Sequence, residues 1–365
     1  MISQIAVRNF KKFRDLQLDM APLTVLTGVN SGGKSTVVQS LLLVHAPRLP
    51  GGGVALNGPH GLSLGEASDV LHFEARDQQI EIKLVGEGGS TTLVLEVPAD
   101  RSPTLKVLAD DASDNLDGAR DAARSFVYLS AERLGPRDLQ EVAADREDDL
   151  SVGPRGEFTA HVLSQLGRAQ VVARRRHPDT DASGGIITLS AQAELWMSSI
   201  VCPLQIEADW IAGTSAAKLR FKSPQSLTDW LRPANVGFGI SFALPIVVAG
   251  LTAAENGLLI VENPESHLHP GGQSAIGRFL ACVAASGTQV LVETHSDHVL
   301  NGIRISAAAE DVIRPSDVVI HYFPSTPDVV SLYVDGSGAV SEWPAGFFDQ
   351  TEEDLTELAR AKRRG

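Results

Sequence analysis

Gly28-Val29-Asn30-Ser31-Gly32-Gly33-Lys34-Ser35-Thr36 decides the reading of this chain. It has the form G-x-x-x-x-G-K-[ST]. An apolar run, Leu23-Thr24-Val25-Leu26, precedes it, and a helical pattern with Val37, Val38, Leu41 and Leu42 on one face follows. That order of strand, glycine-rich loop and helix is the context in which the pattern binds phosphate. Gly28, Asn30, Ser31, Gly32 and Gly33 let backbone N–H groups turn inward, aided by the positive end of the helix. Lys34 would reach the β- and γ-phosphates of a nucleotide, and Ser35 and Thr36 open the helix, with the Ser35 hydroxyl placed for Mg²⁺.

Working outward, the 365 residues can hold one large domain or two ordinary ones. Hydrophobic residues make up 43% and charged residues 21%, a globular composition. No apolar run approaches the ~20 residues of a membrane span. Ile2 to Val7 already reads as a strand, so neither a leader nor a membrane is expected. Cys202 and Cys282 stand far apart in apolar surroundings and read as buried free thiols in a reducing cytoplasm. The formal charge of −14 argues against coating DNA by charge alone, so any DNA contact must be local. Two basic clusters could supply it: Arg174-Arg175-Arg176-His177 with Arg168, and Arg360, Lys362, Arg363 and Arg364 at the tail. Read alone, each is a solvated surface.

Residues 2–28 read as two strands, a turn and the strand before the loop. Leu62 to Val97 shows period two, with Ile80, Ile82 and Leu84 facing Leu93, Leu95 and Val97 across a Gly86–Gly89 turn, as in a half-buried hairpin. Asp110 to Arg124 reads as a polar loop leading into a short helix. Phe126–Leu129 reads as a buried strand. Residues 137–225 are mixed, with helical patterns around 158–173 and 190–200 and β-like runs at 204–210 and 217–221. From Asn235 the pattern is α/β: a helix over 240–251, a strand over 258–261, a helix over 274–285 and a strand over 289–292.

Leu258-Leu259-Ile260-Val261-Glu262 is an apolar strand ending in a carboxylate, the layout of a second Mg²⁺-holding motif. Asn263-Pro264-Glu265-Ser266-His267-Leu268-His269-Pro270 follows. One helix and one strand later comes Glu293-Thr294-His295-Ser296-Asp297, which puts His295 at a strand end where open α/β sheets bind ligands. Lys34 and Glu262 are 228 positions apart, too far for most nucleotide kinases and small GTPases.

Together with Asn9–Phe13, Tyr128–Arg133, Asn235–Ser241 and the terminal Trp343-Pro344-Ala345-Gly346-Phe347-Phe348-Asp349, these blocks resemble an ABC-type ATPase of the SMC/RecF/OLD-like group. Within it, the chain is similar to bacterial stand-alone AAA family ATPases that end in a Trp-Pro-x-Gly-Phe-Phe-Asp motif. The resemblance implies an α/β fold: a P-loop NTPase of ABC type, its mixed central sheet joined to an antiparallel β-subdomain and an inserted helical arm or lid. Residues 1–135 and 226–335 would form the two halves of the core, 136–225 the arm and 336–365 a tail. Gly237, Gly239 and Ser241 would be the signature loop touching the γ-phosphate on a partner protomer, so that a homodimer sandwiches two ATP molecules. Ser35 and Glu262 would hold Mg²⁺, and His295 would sense γ-phosphate. Glu132 and Arg133 would either couple core to arm or form a structural salt bridge.

The pattern departs from the family at Glu262-Asn263, where Asp-Glu is usual. An amide cannot act as a base, though it can orient water. Either Glu265 is the base, or Glu262 is both ligand and base, or hydrolysis is slow and partner-gated. Phe242 stands where related loops carry Gln. The expected function is an ATPase that powers or gates a protein partner, an effector or nuclease, in DNA repair or anti-phage defence. A nucleotide-sensing scaffold is the alternative, while a phosphotransferase or transporter subunit fits the motifs less well.

Overall fold

A computed structural model describes residues 1–111, 124–224, 229–309, 312–326 and 328–362. The polar segment expected to lead into a short helix lies mostly outside the described residues, as do Arg363 and Arg364.

The chain opens with β1 (Ile2–Phe10), β2 (Phe13–Asp19) and β3 (Leu23–Gly28), then α1 (Lys34–His45). Two short strands follow, β4 (Arg48–Leu49) and β5 (Gly53–Ala55), and a single-turn helix, α2 (Ala67–Val70). The hairpin strands are β6 (Gln79–Gly86) and β7 (Gly89–Glu96), followed by β8 (Thr104–Asp110). The middle of the chain contributes β9 (Phe126–Leu129), β10 (Leu139–Glu141), α3 (Thr159–Leu166), α4 (Leu189–Ile200), β11 (Gln205–Trp210) and β12 (Ala216–Lys222). The rest is α5 (Phe238–Thr252), β13 (Leu258–Glu262), α6 (Pro270–Ala285), β14 (Gln289–Glu293), α7 (Asp297–Ala308), β15 (Val318–Phe323), β16 (Val330–Tyr333) and α8 (Gln350–Lys362).

Three sheets result. A seven-stranded antiparallel sheet runs β2-β1-β6-β7-β8-β5-β4, and a six-stranded mixed sheet runs β16-β15-β3-β14-β13-β9. In the second, β9, β13, β14, β3 and β15 are parallel, and β16 pairs antiparallel to β15. The third, β10-β12-β11, lies in the inserted segment. The hairpin register matches the expected alternation, with Ile82 opposite Leu93 and Ile80 opposite Leu95. Period two does not extend back to Leu62, because 62–78 holds turns and α2 before β6 begins.

The parallel strands are buried on both faces, which explains their continuous apolar runs. One face carries Leu23, Val25, Leu259, Val261, Val290, Val292 and Ile320 against α5, α6, α7 and the inserted segment. The other carries Leu26, Ile260, Leu291 and Phe323 against α1 and the antiparallel sheet. Helix α1 is therefore enclosed: Leu43 and Val44 are buried with Val37, Val38, Leu41 and Leu42, so the single apolar face read from the sequence is too narrow. The inserted segment is not detached. Trp196 on α4 meets Phe279 on α6 edge to face at 4.9 Å.

The thiols correct one expectation. Both are free, but Cys202 is exposed and only Cys282 is buried. Burial pushes the Cys282 thiol up to about 11. Among the described residues no helix is long and apolar enough to cross a membrane.

Strand β15 has no counterpart in the sequence reading, because His321 and Tyr322 interrupt its apolar run. His321 is fully buried. Its Nε2 lies 2.7 Å from the Asp19 carbonyl and its Nδ1 3.0 Å from Ser331 Oγ. The carbonyl can only accept, so Nε2 carries the proton and Nδ1 accepts from the serine. Burial holds this imidazole below its ordinary value. An unfolded histidine takes up a proton near pH ~6.5, before the folded one does. The stability His321 contributes is thus present above that value and lost as pH falls. Urea unfolding free energy should decline below pH ~6.5, and His321→Gln should make that decline shallower.

Candidate nucleotide site

The loop Gly28–Gly33 leaves β3 and turns over the end of β15. Val29 N–H donates to the Phe323 carbonyl at 3.0 Å. Gly28 has φ 130°, and a Cβ there would meet that carbonyl oxygen at 2.2 Å. Gly33 has φ 112° and would drive a Cβ into the Phe13 ring at 2.3 Å. Both positions need glycine for conformation and for space. Ser31 also takes a positive φ, 62°. The loop, Lys11, Lys12 and Gln39 line a cavity of about 310 Å³ at the start of α1. Lys34 is buried, with Nζ donating to the Gly28 and Val29 carbonyls at 3.1 and 2.9 Å. Burial lowers its pKa, and Glu293 opposes that. Lys12 Nζ donates to the Gly32 carbonyl at 2.8 Å.

Ser35, in the first turn of α1, has a carboxylate partner. Its hydroxyl lies 3.3 Å from both carboxylate oxygens of Glu293 at the end of β14. Glu262, at the end of the adjacent β13, faces β9: Oε2 accepts from Ala131 N–H at 3.0 Å, and Tyr128 and Arg133 favour its charged form. The two strand-end residues are register partners, Glu262 with Glu293. Burial and the neighbouring Glu262 push the Glu293 carboxyl up to about 7. Burial likewise raises Glu262. Sequence reasoning passed over Glu293 because a carboxylate one residue before a Thr-His pair carries no motif of its own.

Glu265 does turn toward the strand ends. Asn263 adopts φ 44°, and its N–H donates to the Glu293 carbonyl at 2.8 Å. After this turn Glu265 accepts from the Thr294 hydroxyl at 2.7 Å and from the His295 backbone N–H at 2.8 Å. His295 is held below its ordinary pKa by burial and by Lys34.

Arg133 ties the turn down. It is buried, and its guanidinium donates to three carbonyls: Ser130 at 2.8 Å, Glu262 at 2.6 Å and Asn263 at 2.6 Å. Burial pulls its pKa down to about 10. Its charged end lies over the Phe242 ring at 5.7 Å. Glu132 is exposed and sits 3.6 Å from Arg155, so the two residues take separate partners. Gly237 caps α5, and Gly239 and Ser241 lie in its first turns rather than in a loop. A Cβ on Gly239 would meet the His267 carbonyl at 2.9 Å. Phe242 packs on His267 at 4.5 Å, and half-exposed Phe238 lies 5.4 Å from the same ring.

The basic cluster at 174–177 is not a surface patch throughout. Arg175 is buried, giving Nε to Ser286 Oγ at 2.7 Å, Nη2 to Thr288 Oγ1 at 2.6 Å and Nη1 to the Gly250 and Ala253 carbonyls. At the tail Arg360 and Lys362 lie exposed on α8.

Replacing Arg133 by Met would leave three carbonyls without their donor. Unsatisfied buried groups cost about 1–3 kcal/mol each before relaxation, so a loss of roughly 2–4 kcal/mol is expected in urea unfolding. Arg133→Lys should recover only part of it, since an ammonium lacks the planar fork.

Family comparisons match three stretches. "AAA ATPase domain" covers residues 1–88, "AAA domain, putative AbiEii toxin, Type IV TA system" covers 217–301, and "Protein of unknown function (DUF3696)" covers 313–358. No curated protein matches the sequence. Among solved structures, an Smc head bound to the C-winged helix domain of ScpA is 12% identical, covers 92% of this chain and 98% of its own, and has a TM-score of 0.55. An Smc head with an extended coiled coil, bound to the C-terminal domain of ScpA and derived from Pyrococcus furiosus, is 12% identical, covers 98% and 99%, and scores 0.54. The SMC head domain from Thermotoga maritima, at 11% identity and 92% and 99% coverage, scores 0.44.

Proposed function

We propose that this chain, which has the fold of the ABC-type ATPases of the SMC/RecF-like group, binds ATP with Mg²⁺ and hydrolyses it between two copies of itself. One observation carries the reading. The Ser35 hydroxyl at the P-loop meets the Glu293 carboxylate at 3.3 Å, and Glu262 is the register partner of Glu293 on the next strand.

That donor set fits Mg²⁺, which prefers hard oxygens and takes one or two carboxylates plus substrate phosphates rather than an all-protein cage. Among the described residues no group of three or more His, Cys, Asp or Glu forms such a cage. Ser35, Glu293 and Glu262 would hold the ion, which when bound neutralises charge developing on the phosphates.

Lys34 would exchange the Gly28 and Val29 carbonyls for phosphate oxygens. The exchange is cheap, because those carbonyls are weaker partners than an anion. Glu265 would act on the attacking water. Its oxygens each accept one bond, from Thr294 and His295, and each keeps a lone pair. The His295 imidazole, on the residue whose N–H Glu265 anchors, would sense the γ-phosphate. Asn263 would orient water but not take its proton. Gly237, Gly239 and Ser241, at the N-terminus of α5, would present N–H groups to the phosphate bound by the other copy. The Smc heads in the comparison are bound to domains of ScpA, which supports a docked protein partner here too. The type IV TA name of one matching family favours defence over repair as the setting.

Phosphate release with ATP and Mg²⁺ is the test. Wild type should turn over above a Lys34→Ala blank. Glu265→Gln should still bind ATP while its kcat falls at least ~100-fold, the scale of general-base catalysis. An unchanged rate in Glu265→Gln would remove Glu265 as the base. No turnover by wild type with ATP still bound would favour the sensor reading, which Asn263 in the usual carboxylate position supports.

A further inference from the structure

Arg174 and Arg176 flank the buried Arg175 and point elsewhere. They line a cavity of about 900 Å³ between the 174–178 segment, α4 and α6. His177, Trp196, Ser199 and Arg278 contribute to the same wall. The P-loop cavity shares none of these residues. Small-molecule sites span about 300–1,000 Å³, so this one can take an organic ligand.

Arg174 and Arg176 give its wall positive charge, Arg278 has a partner of its own, and the Asp179 carboxylate stands 3.8 Å from His177 Nδ1. None of the described lining residues is acidic, although the chain as a whole carries −14. Arg174 gives one N–H to the Ala285 carbonyl at 3.1 Å, and Arg176 gives its Nε–H to the Val171 carbonyl at 2.9 Å. Among the described residues their remaining guanidinium N–H groups have no partner. His177 adds a polar group rather than a charge. Its Nδ1 accepts from Asp179 N–H at 3.1 Å, so the proton sits on Nε2 and is donated to Ser199 Oγ at 2.8 Å. That leaves the Ser199 hydrogen free to donate. Burial keeps the imidazole below its ordinary value.

Two guanidinium groups that line one concavity, those of Arg174 and Arg176, repel each other less once an anion joins them. Their planar forks match phosphate oxygens bidentately. The Trp196 ring and the apolar surface of Pro178, Ala275 and Val312 would cover a carbon framework. We propose that this cavity binds a small phosphorylated organic anion. A half-open concavity of this size, in a chain otherwise acidic, fits a small molecule better than a nucleic-acid strand. The α6 wall begins at Pro270, a few residues after Glu265, so a bound ligand contacts the helix that continues from the catalytic turn.

Calorimetric titration with inorganic pyrophosphate tests this, with the P-loop first saturated by a non-hydrolysable ATP analogue and Mg²⁺. Wild type should bind one equivalent. Arg174→Ala/Arg176→Ala should bind it at least tenfold more weakly, with unchanged affinity for the ATP analogue. Arg176→Gln, which keeps the aliphatic stem, should show an intermediate loss and guards against a fold defect in the double variant. Absent heat with wild type, or equal affinity in wild type and variants, would overturn the site. So would a single-stranded oligonucleotide whose binding needs both arginines while pyrophosphate gives no heat. Failure of the ATP analogue to bind would count against the nucleotide reading alone, because the pyrophosphate difference between wild type and variants would still report on this cavity.

Discussion

The seat of the P-loop on the Phe323 carbonyl is the contact on which the site rests. Val29 N–H donates to it, and Gly28 approaches it more closely than any side chain would allow. That approach requires β15 beside β3, which in turn places β16 at the sheet edge and leaves β14 on the other side of β3. With β14 there, Glu293 falls opposite Ser35. The loop is thus fixed on its sheet side by backbone contacts, while Lys12 and Lys34 hold its carbonyls with their side chains.

Two buried arginines perform similar work in different places. Arg133 joins the end of β9 to the turn after β13, and Arg175 joins the inserted segment to the ends of α5 and α6. Each donates mainly to carbonyl and hydroxyl oxygens rather than to a carboxylate. A guanidinium offers five N–H groups in one plane, enough to satisfy several chain ends at once, where one ammonium could not. Arg133 also sits over Phe242, so the turn that aims Glu265 and the first turns of α5 share one charged group. The terminal aromatic motif acts likewise through packing: Phe347 is buried against Tyr322 on β15, and the Tyr322 hydroxyl donates to the Ala345 carbonyl.

Much of the fold was legible because its signals are local. The P-loop glycines, the apolar runs of β3, β13 and β14, and the alternation of β6 and β7 each follow from a periodicity or a turn residue. Strand β15 was not legible, because His321 reads as polar until Asp19 and Ser331, far off in sequence or across a strand pair, satisfy both ring nitrogens. The enclosure of α1 was missed for a related reason. A helix between two sheets loses its polar face, and only the second sheet reveals that. Cys202 looked buried among apolar neighbours in sequence but follows the end of α4 into solvent.

The sequence by itself determined that the chain carries a glycine-rich G-x-x-x-x-G-K-[ST] loop between strand and helix, a strand-end carboxylate at Glu262 and an amide right after it, since each is written in adjacent residues. Tertiary structure alone decided which carboxylate meets Ser35, where Glu265 points and which arginines of the 174–176 run face inward. These outcomes depend on strand order and on a positive-φ turn at Asn263. Strand order brings together residues hundreds of positions apart, and no local pattern encodes which of two strand-end glutamates will stand beside the loop.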